Sequence, residues 1–304
     1  MGMDSGISNP EVAGSSPAGR INPLHVDFSL PITDYHSRKA LGSTDIKGLQ
    51  ASPLAFQGKQ AGEAPCRSDS VALALGQLWH TLLDIGPEAF GERARTVPSD
   101  LLRADGSLST GKEAKAWLAE LPPDAIPLTP EVSDAIGKML EQFQANSAAW
   151  DIYESRLHQE VSIFWEWLGV EVKCRPDCIS EGGLLADWKS TRDECPERQF
   201  GQAVNRFGYG LSAALYEEGC RVCGLAEGAM TFVVSSTTYP YETFVGTLPP
   251  ACTAYWHERL IVLLGEVKRR RETSDWTPSH YGQVNEIDLW WPGKNGGSSF
   301  QRVE

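Results

Sequence analysis

The chain has 304 residues, 41% of them hydrophobic, and a formal net charge of −13. That length permits one large core or two smaller ones, and no apolar run approaches the ~20 residues of a membrane span. The acidic balance argues against a protein that coats nucleic acid with its whole surface, though not against an enzyme with a local basic track.

The opening MGMDSGISNPEVAGSSPAGR has no basic region leading into an apolar one, so it does not read as a secretory signal. Its Gly, Ser, Pro and Asn content predicts a disordered head over residues 1–25 and a cytoplasmic protein. Residues 26–304 read as one domain: a helical part over 35–150, a core over 151–273 and a coil-rich tail over 274–304.

The stretch 35–57 reads as a short helix capped by Ser43 or Thr44, with Pro53 beyond its end. VALALGQLWHTLLD, 71–84, is apolar almost all round and reads as a buried helix. A weak helix follows near 112–121. Residues 130–150 form an amphipathic one, with Ile136, Met139, Leu140 and Phe143 at helical spacing. The period then becomes two. ESRLHQEVSIFWEWLG, VEVKCRPDCIS and LLADWKST predict three consecutive antiparallel strands. A helix over 197–219 closed by Gly219, a strand over 229–237, a possible further strand in YETFVGTL and a long helix over 249–273 complete a mixed α/β core.

Seven cysteines in a chain without an export signal argue against a disulfide framework. Cys220 and Cys223 form one C-x2-C pair, and buried or loop thiols are the favoured reading. Cations cluster at Lys173, Arg175, Lys189, Arg192, Arg198 and Arg206, and again over 268–271, where a helix end and DNA contact are both open.

CRPDCISEGGLLADWKS, 174–190, is the chemically informative stretch. A hairpin of strands 173–180 and 184–190 centred on Gly182 sets Asp177 opposite Asp187 and Arg175 opposite Lys189, with Asp187 and Lys189 on one face. Opposed carboxylates repel, and a divalent cation between them turns repulsion into coordination. Spacing alone leaves two readings: a surface hairpin with a cross-strand ion pair, or a metal site with a lysine to hold or activate water.

P-D-x9-D-x-K, with the order helix, three antiparallel strands, helix, strand, resembles the PD-(D/E)XK nuclease superfamily. YHSRKALGSTDIKGLQASPLAF, ALGQLWHTLL, HQEVSIFWEW and MTFVVSSTTYPYETF extend the resemblance to the exonuclease VIII (RecE) group, over about residues 35–291. The resemblance implies a restriction-endonuclease-like core, a central mixed sheet flanked by helices, with an N-terminal helical elaboration. It implies that His80, Asp177, Asp187 and the Trp188 backbone carbonyl bind metal, that Lys189 is the catalytic lysine, and that Glu160 supports the metals or their waters. Arg175 would meet a phosphate or a carboxylate; Arg192 and Tyr216 would serve DNA binding. Where the group carries Gln in a Q-x3-Y pair, this chain has Ser212 before Tyr216, which bears on DNA positioning.

The activity so implied is a Mg²⁺- or Mn²⁺-dependent DNA exonuclease with two ions per site, digesting duplex ends 5′→3′ in phage-type recombination or repair. Its partners would be double-stranded DNA ends, a single-strand annealing protein and further copies of itself in a ring. Two alternatives stand beside it. One is an AddB-like nuclease with an iron–sulfur cluster on Cys66, Cys220, Cys223 and Cys252; the other is a catalytically degenerate DNA-binding module.

Overall fold

The computed structural model describes residues 22–63, 71–282 and 284. Cys66, Trp290, Trp291 and residues 1–21 of the expected head lie outside them. Residues 22–25, also assigned to that head, instead begin β1 (Asn22–Asp27). Helix α1 (Ile32–Ser37) follows, and the single helix expected over 35–57 is divided into α2 (Ser43–Ala51) and α3 (Pro53–Gln60). Gly42 caps α2, its N–H donating to Asp45 Oδ2 at 3.0 Å, so neither Ser43 nor Thr44 is the cap. Ser52 is extended and accepts the Ala55 N–H, and Pro53 opens α3, where its missing N–H costs nothing.

Helix α4 (Val71–Ile85) stands where a helix is expected, with Trp79, Leu82 and Leu83 buried, but Gln77 and Asp84 are exposed, so it is not buried all round. Gly86, at φ +88°, turns the chain into α5 (Pro87–Arg93). A short parallel pair, β2 (Ala94–Thr96) with β3 (Ile126–Leu128), brackets α6 (Lys112–Glu120). The amphipathic stretch after it breaks at Asn146 into α7 (Pro130–Ala145) and α8 (Ser147–Glu154). Asn146 ends one helix and caps the next: its Oδ1 accepts the Ala149 N–H at 3.1 Å, and its Nδ2 donates to the Thr243 carbonyl at 2.8 Å.

The three expected strands are five. These are β4 (Arg156–Gln159), β5 (Ser162–Trp167), β6 (Val170–Cys174), β7 (Cys178–Ser180) and β8 (Leu185–Thr191). The first strand breaks at Glu160, which has φ +52°, and the second at Arg175–Asp177, where Pro176 removes a ladder donor. Register survives the breaks: Ile163 faces Cys174 in one sheet, and Gln159 faces Cys178 in the next. One long hairpin is thus bent, and its halves serve two sheets, ordered β1-β5-β6 and β10-β9-β8-β7-β4.

Helix α9 (Pro196–Phe207) and helix α10 (Tyr209–Cys223) replace the single helix expected over 197–219, with Gly208 in the left-handed region between them. Gly219 is no helix stop but a close-approach point. A Cβ there would lie 2.6 Å from Cys174 Sγ and 2.8 Å from the Trp165 ring. After α10 the chain enters the second sheet as β9 (Thr231–Ser236), parallel to β8, then returns as β10 (Thr243–Thr247) and ends in α11 (Pro250–Thr273). Within the basic run of α11, Arg270 is buried and bonds Glu266 and the carbonyls of Asp275 and Thr277. That is a helix-end role.

Helices cover both faces of the mixed sheet. On one face Trp79, Leu83, Met139 and Phe143 of α4 and α7 pack on Ala186, Trp188 and Val233. On the other, Phe200, Leu211, Leu215 and Leu260 of α9, α10 and α11 pack on Leu185, Phe232 and Val234. Both faces of β9 and of the first half of β8 are buried accordingly. No helix among the described residues is long and apolar enough to cross a membrane.

Candidate active site

The turn after β7 is built by Gly182 and Gly183, the latter at φ +73°. Leu184 donates its N–H to Ser180 Oγ, and Ser180 donates its own to the Leu184 carbonyl. The register that results pairs Cys178 with Ala186 and Ile179 with Leu185. One step further brings Asp177 beside β8 opposite Asp187, as the turn position predicts. Asp177 sits just before β7, and its Oδ2 accepts the Trp188 N–H at 2.8 Å.

Four of the sequence-predicted residues meet here. His80 Nδ1, from α4, lies 3.9 Å from Asp177 Oδ2. Asp187 is buried, and Lys189, two residues along the same face of β8, presses its ammonium against Asp187 Oδ2. The same ammonium donates to the Trp188 carbonyl at 3.2 Å. The Trp188 indole points to the opposite face, edge-on to Phe143 at 6.0 Å, which anchors the strand beneath the site.

The electrostatics are those of crowded acids. Burial first, then the charge of Asp187, raise the pKa of Asp177. Burial opposes the charged form of Lys189, but Asp187 and Asp177 together outweigh it and raise its pKa. Asp187 Oδ2 is buried and has no donor aligned on it as a hydrogen bond, despite the touching ammonium. Among the described residues no three His, Cys, Asp or Glu side chains are drawn together closely enough to hold a metal ion by themselves. The donor set is two carboxylates, a carbonyl and an imidazole to one side. Such an open, oxygen-rich set fits Mg²⁺ or Mn²⁺, which keep several waters, better than a structural zinc site.

The hairpin bend supplies the next layer. Arg175 does not face Lys189, because β6 and β7 lie in different sheets. It turns instead to Glu160, with Nε 2.6 Å from Oε2, and donates through Nη1 to the Leu30 carbonyl and Ser162 Oγ, both at 2.8 Å. Glu160 N–H in turn reaches the Asp177 carbonyl at 3.4 Å. Burial, and then the charge of Asp177, push the Glu160 carboxyl up to about 7. Glu160, Arg175 and Tyr216 line a cavity of about 540 Å³ with Tyr35, His36 and Lys173. Burial and the charge of Asp187 hold the Tyr216 phenol protonated. Ser212, one turn before it on α10, is buried, and Arg192 is exposed beyond the site.

Sequence reasoning missed three neighbours. Asp84 lies one helical turn beyond His80 and is near enough to feel it; partial desolvation raises its pKa while Arg175 and His80 oppose the rise. Its i, i+4 spacing from His80 was the available signal. Lys47 of α2 and Tyr209 of α10 also approach Lys189, and no spacing rule joins them to it. Of the cysteines once weighed as cluster ligands, Cys220 is buried, and burial raises its thiol pKa.

A family model described as a PDDEXK-like domain of unknown function (DUF3799) matches residues 42–282. No curated protein matches the chain by sequence. Among solved structures, the chain is similar to a protein from Eubacterium rectale described as a putative exonuclease. The two share 11% identity and a TM-score of 0.56, over 87% of this chain and 97% of that one, so the likeness is one of fold.

Proposed function

We propose, from the premise that the chain belongs to the PDDEXK-like domain family DUF3799, that it is a metal-dependent DNA exonuclease. The observation that carries the reading is the meeting of His80, Asp177, Asp187 and Lys189, with one carboxylate buried and the other partly so. A binding module has no use for that repulsion, whereas a cation site does.

His80, Asp177, Asp187 and the Trp188 carbonyl would hold the ions. When bound, Mg²⁺ or Mn²⁺ supplies a nucleophilic hydroxide and offsets charge on the scissile phosphate and the departing 3′-oxygen. The chain's own residues position the rest. Lys189, fixed by Asp187 and the Trp188 carbonyl and kept an ammonium by both Asp187 and Asp177, stands where it can hold the attacking water and stabilise the hydroxide that water becomes. Glu160, braced by Arg175, keeps a second acid beside Asp177 for the ions' waters. The products carry 5′-phosphates. Resemblance to the exonuclease VIII group supports 5′→3′ digestion of duplex ends, a ring-shaped oligomer and work beside a single-strand annealing protein in recombination.

The test is digestion of linear duplexes labelled at either end, in Mg²⁺ or EDTA, by wild type and Lys189→Ala. Mg²⁺-dependent mononucleotide release that is lost in the variant is the expected result. Wild type that cuts no DNA form would end the nuclease reading, and release unchanged in Lys189→Ala would end the role given to that lysine.

A further inference from the structure

Lys47 is a cation that forms no ion pair within 4 Å among the described residues. It leaves α2 between the buried Ile46 and Leu49, and its methylenes run along Gly208. A Cβ at Gly208 would stand 3.3–3.4 Å from Cε, Cδ and Cγ of this lysine, so the glycine leaves the channel it occupies. Its ammonium lies over the Tyr209 ring, 5.6 Å from the centroid, and the Lys189 ammonium lies over the same ring at 5.4 Å. Among the described residues no carboxylate comes within 4 Å of it and no acceptor takes its protons. Burial first, and the charge of Lys189 second, draw its pKa down to about 8, against the weaker opposing pull of the Asp187 carboxylate.

Two ammoniums sharing one ring repel each other, and a half-buried, unpaired one costs desolvation as well. The cation–π contact, of order 0.5–2 kcal/mol, offsets only part of this. No packing need explains a charge at this position, since an apolar chain would fill the same channel. An anion arriving from outside the protein would answer both costs.

We propose that Lys47 is a substrate-binding residue that takes a non-bridging oxygen of a nucleic-acid phosphate neighbouring the one at Lys189, beside the Tyr209 ring that both ammoniums contact. The ligand class rests on the nuclease reading; the vacant charge does not. Tyr209 and Gly208 then act as positioning residues, one as a face for both ammoniums and the other as the open track for the Lys47 stem.

The test uses the full chain in EDTA, with a short fluorescent DNA duplex as probe and anisotropy measured across a salt series. Lys47→Met is expected to lower the slope of log K against log salt by about 0.9, the share of one phosphate contact, and Lys47→Arg to keep the wild-type slope. A purely structural role would change melting temperature but not that slope. Should the Met variant melt early, Lys47→Gln gives the same reading. A Met or Gln variant with the wild-type slope overturns the proposal, as does wild type whose binding has no salt dependence. Parallel digestion in Mg²⁺ separates the two readings: wild type that binds but does not cut ends the nuclease reading and leaves the Lys47 contact standing. Wild type that cuts, with an unchanged slope in the variants, ends only the Lys47 contact.

Discussion

Replacing Glu160 by Gln removes a titrating group at the hairpin bend and leaves an oxygen for Arg175 Nε. The carboxyl is pushed from 4.5 up to about 7 by burial and then by Asp177, so the folded chain holds this proton more tightly than the unfolded one. Below pH ~4.5 both states are protonated and nothing is lost; stability falls as pH rises from ~4.5 to ~7 and falls no further above it. At about 1.36 kcal/mol per unit the ceiling is about 3 kcal/mol. Solvent reaches 32% of the side chain, and Arg175 lies 2.6 Å away to follow the charge. Screening then brings the expected effect to about 1–2 kcal/mol. Urea unfolding in EDTA at pH 5 and pH 8 measures it, since EDTA keeps divalent cations off Asp177 and Asp187. The variant's stability relative to wild type should rise by that amount between the two pH values. Any constant cost of the weaker Arg175 bond cancels in the difference. Parallel pH profiles for the two proteins would refute the reasoning.

Millimolar Mg²⁺ should raise the wild-type Tm, by about 2.7 kcal/mol of stability at a hundredfold excess over Kd. Asp187→Asn should abolish the rise in scanning fluorimetry, and a variant with the full response would remove Asp187 from the cation site. Gly219→Ala should cost about 1–3 kcal/mol in urea unfolding, because its Cβ meets Cys174 Sγ at 2.6 Å. Cys174→Ala added to it should restore part of the loss, and strict additivity would show that the two do not touch. Asn146→Ala removes both the α8 cap and the bond to the Thr243 carbonyl, so about 2 kcal/mol is expected, with faster amide exchange in the first turn of α8.

The site was more legible in the sequence than the strands that carry it. Gly182 and Gly183 could only be a turn, and that alone fixed Cys178 against Ala186 and brought Asp177 to Asp187. The bend at Glu160 left no comparable mark, since both halves of the strand keep period two and no Gly or Pro interrupts them. Pro176 did mark the second break, but the adjoining Asp177 drew it into a strand reading. Gly219 misled for a different reason. Glycine past an apolar helix usually means a stop, whereas here a buried contact with Cys174 and Trp165 demands the missing side chain. His80 was legible only through resemblance, because a single histidine on a buried helix carries no periodic signal. Lys47 and Tyr209 reach Lys189 by tertiary packing alone, from helices far apart in the chain.

The bent hairpin and its helices also set an order of events. His80 and Asp177 are about a hundred residues apart in the chain, and Lys47 and Lys189 are further still. The β7–β8 turn joins near neighbours and can close early, within microseconds for a hairpin of this kind. The long-range contacts must wait until loop-closure entropy has been overcome. On refolding, helical and strand signals should therefore recover before cation-dependent stabilisation does. On the metal-dependent reading, cation binding would report the docking of α4 on the sheet, so a chain can be largely folded and still have no site.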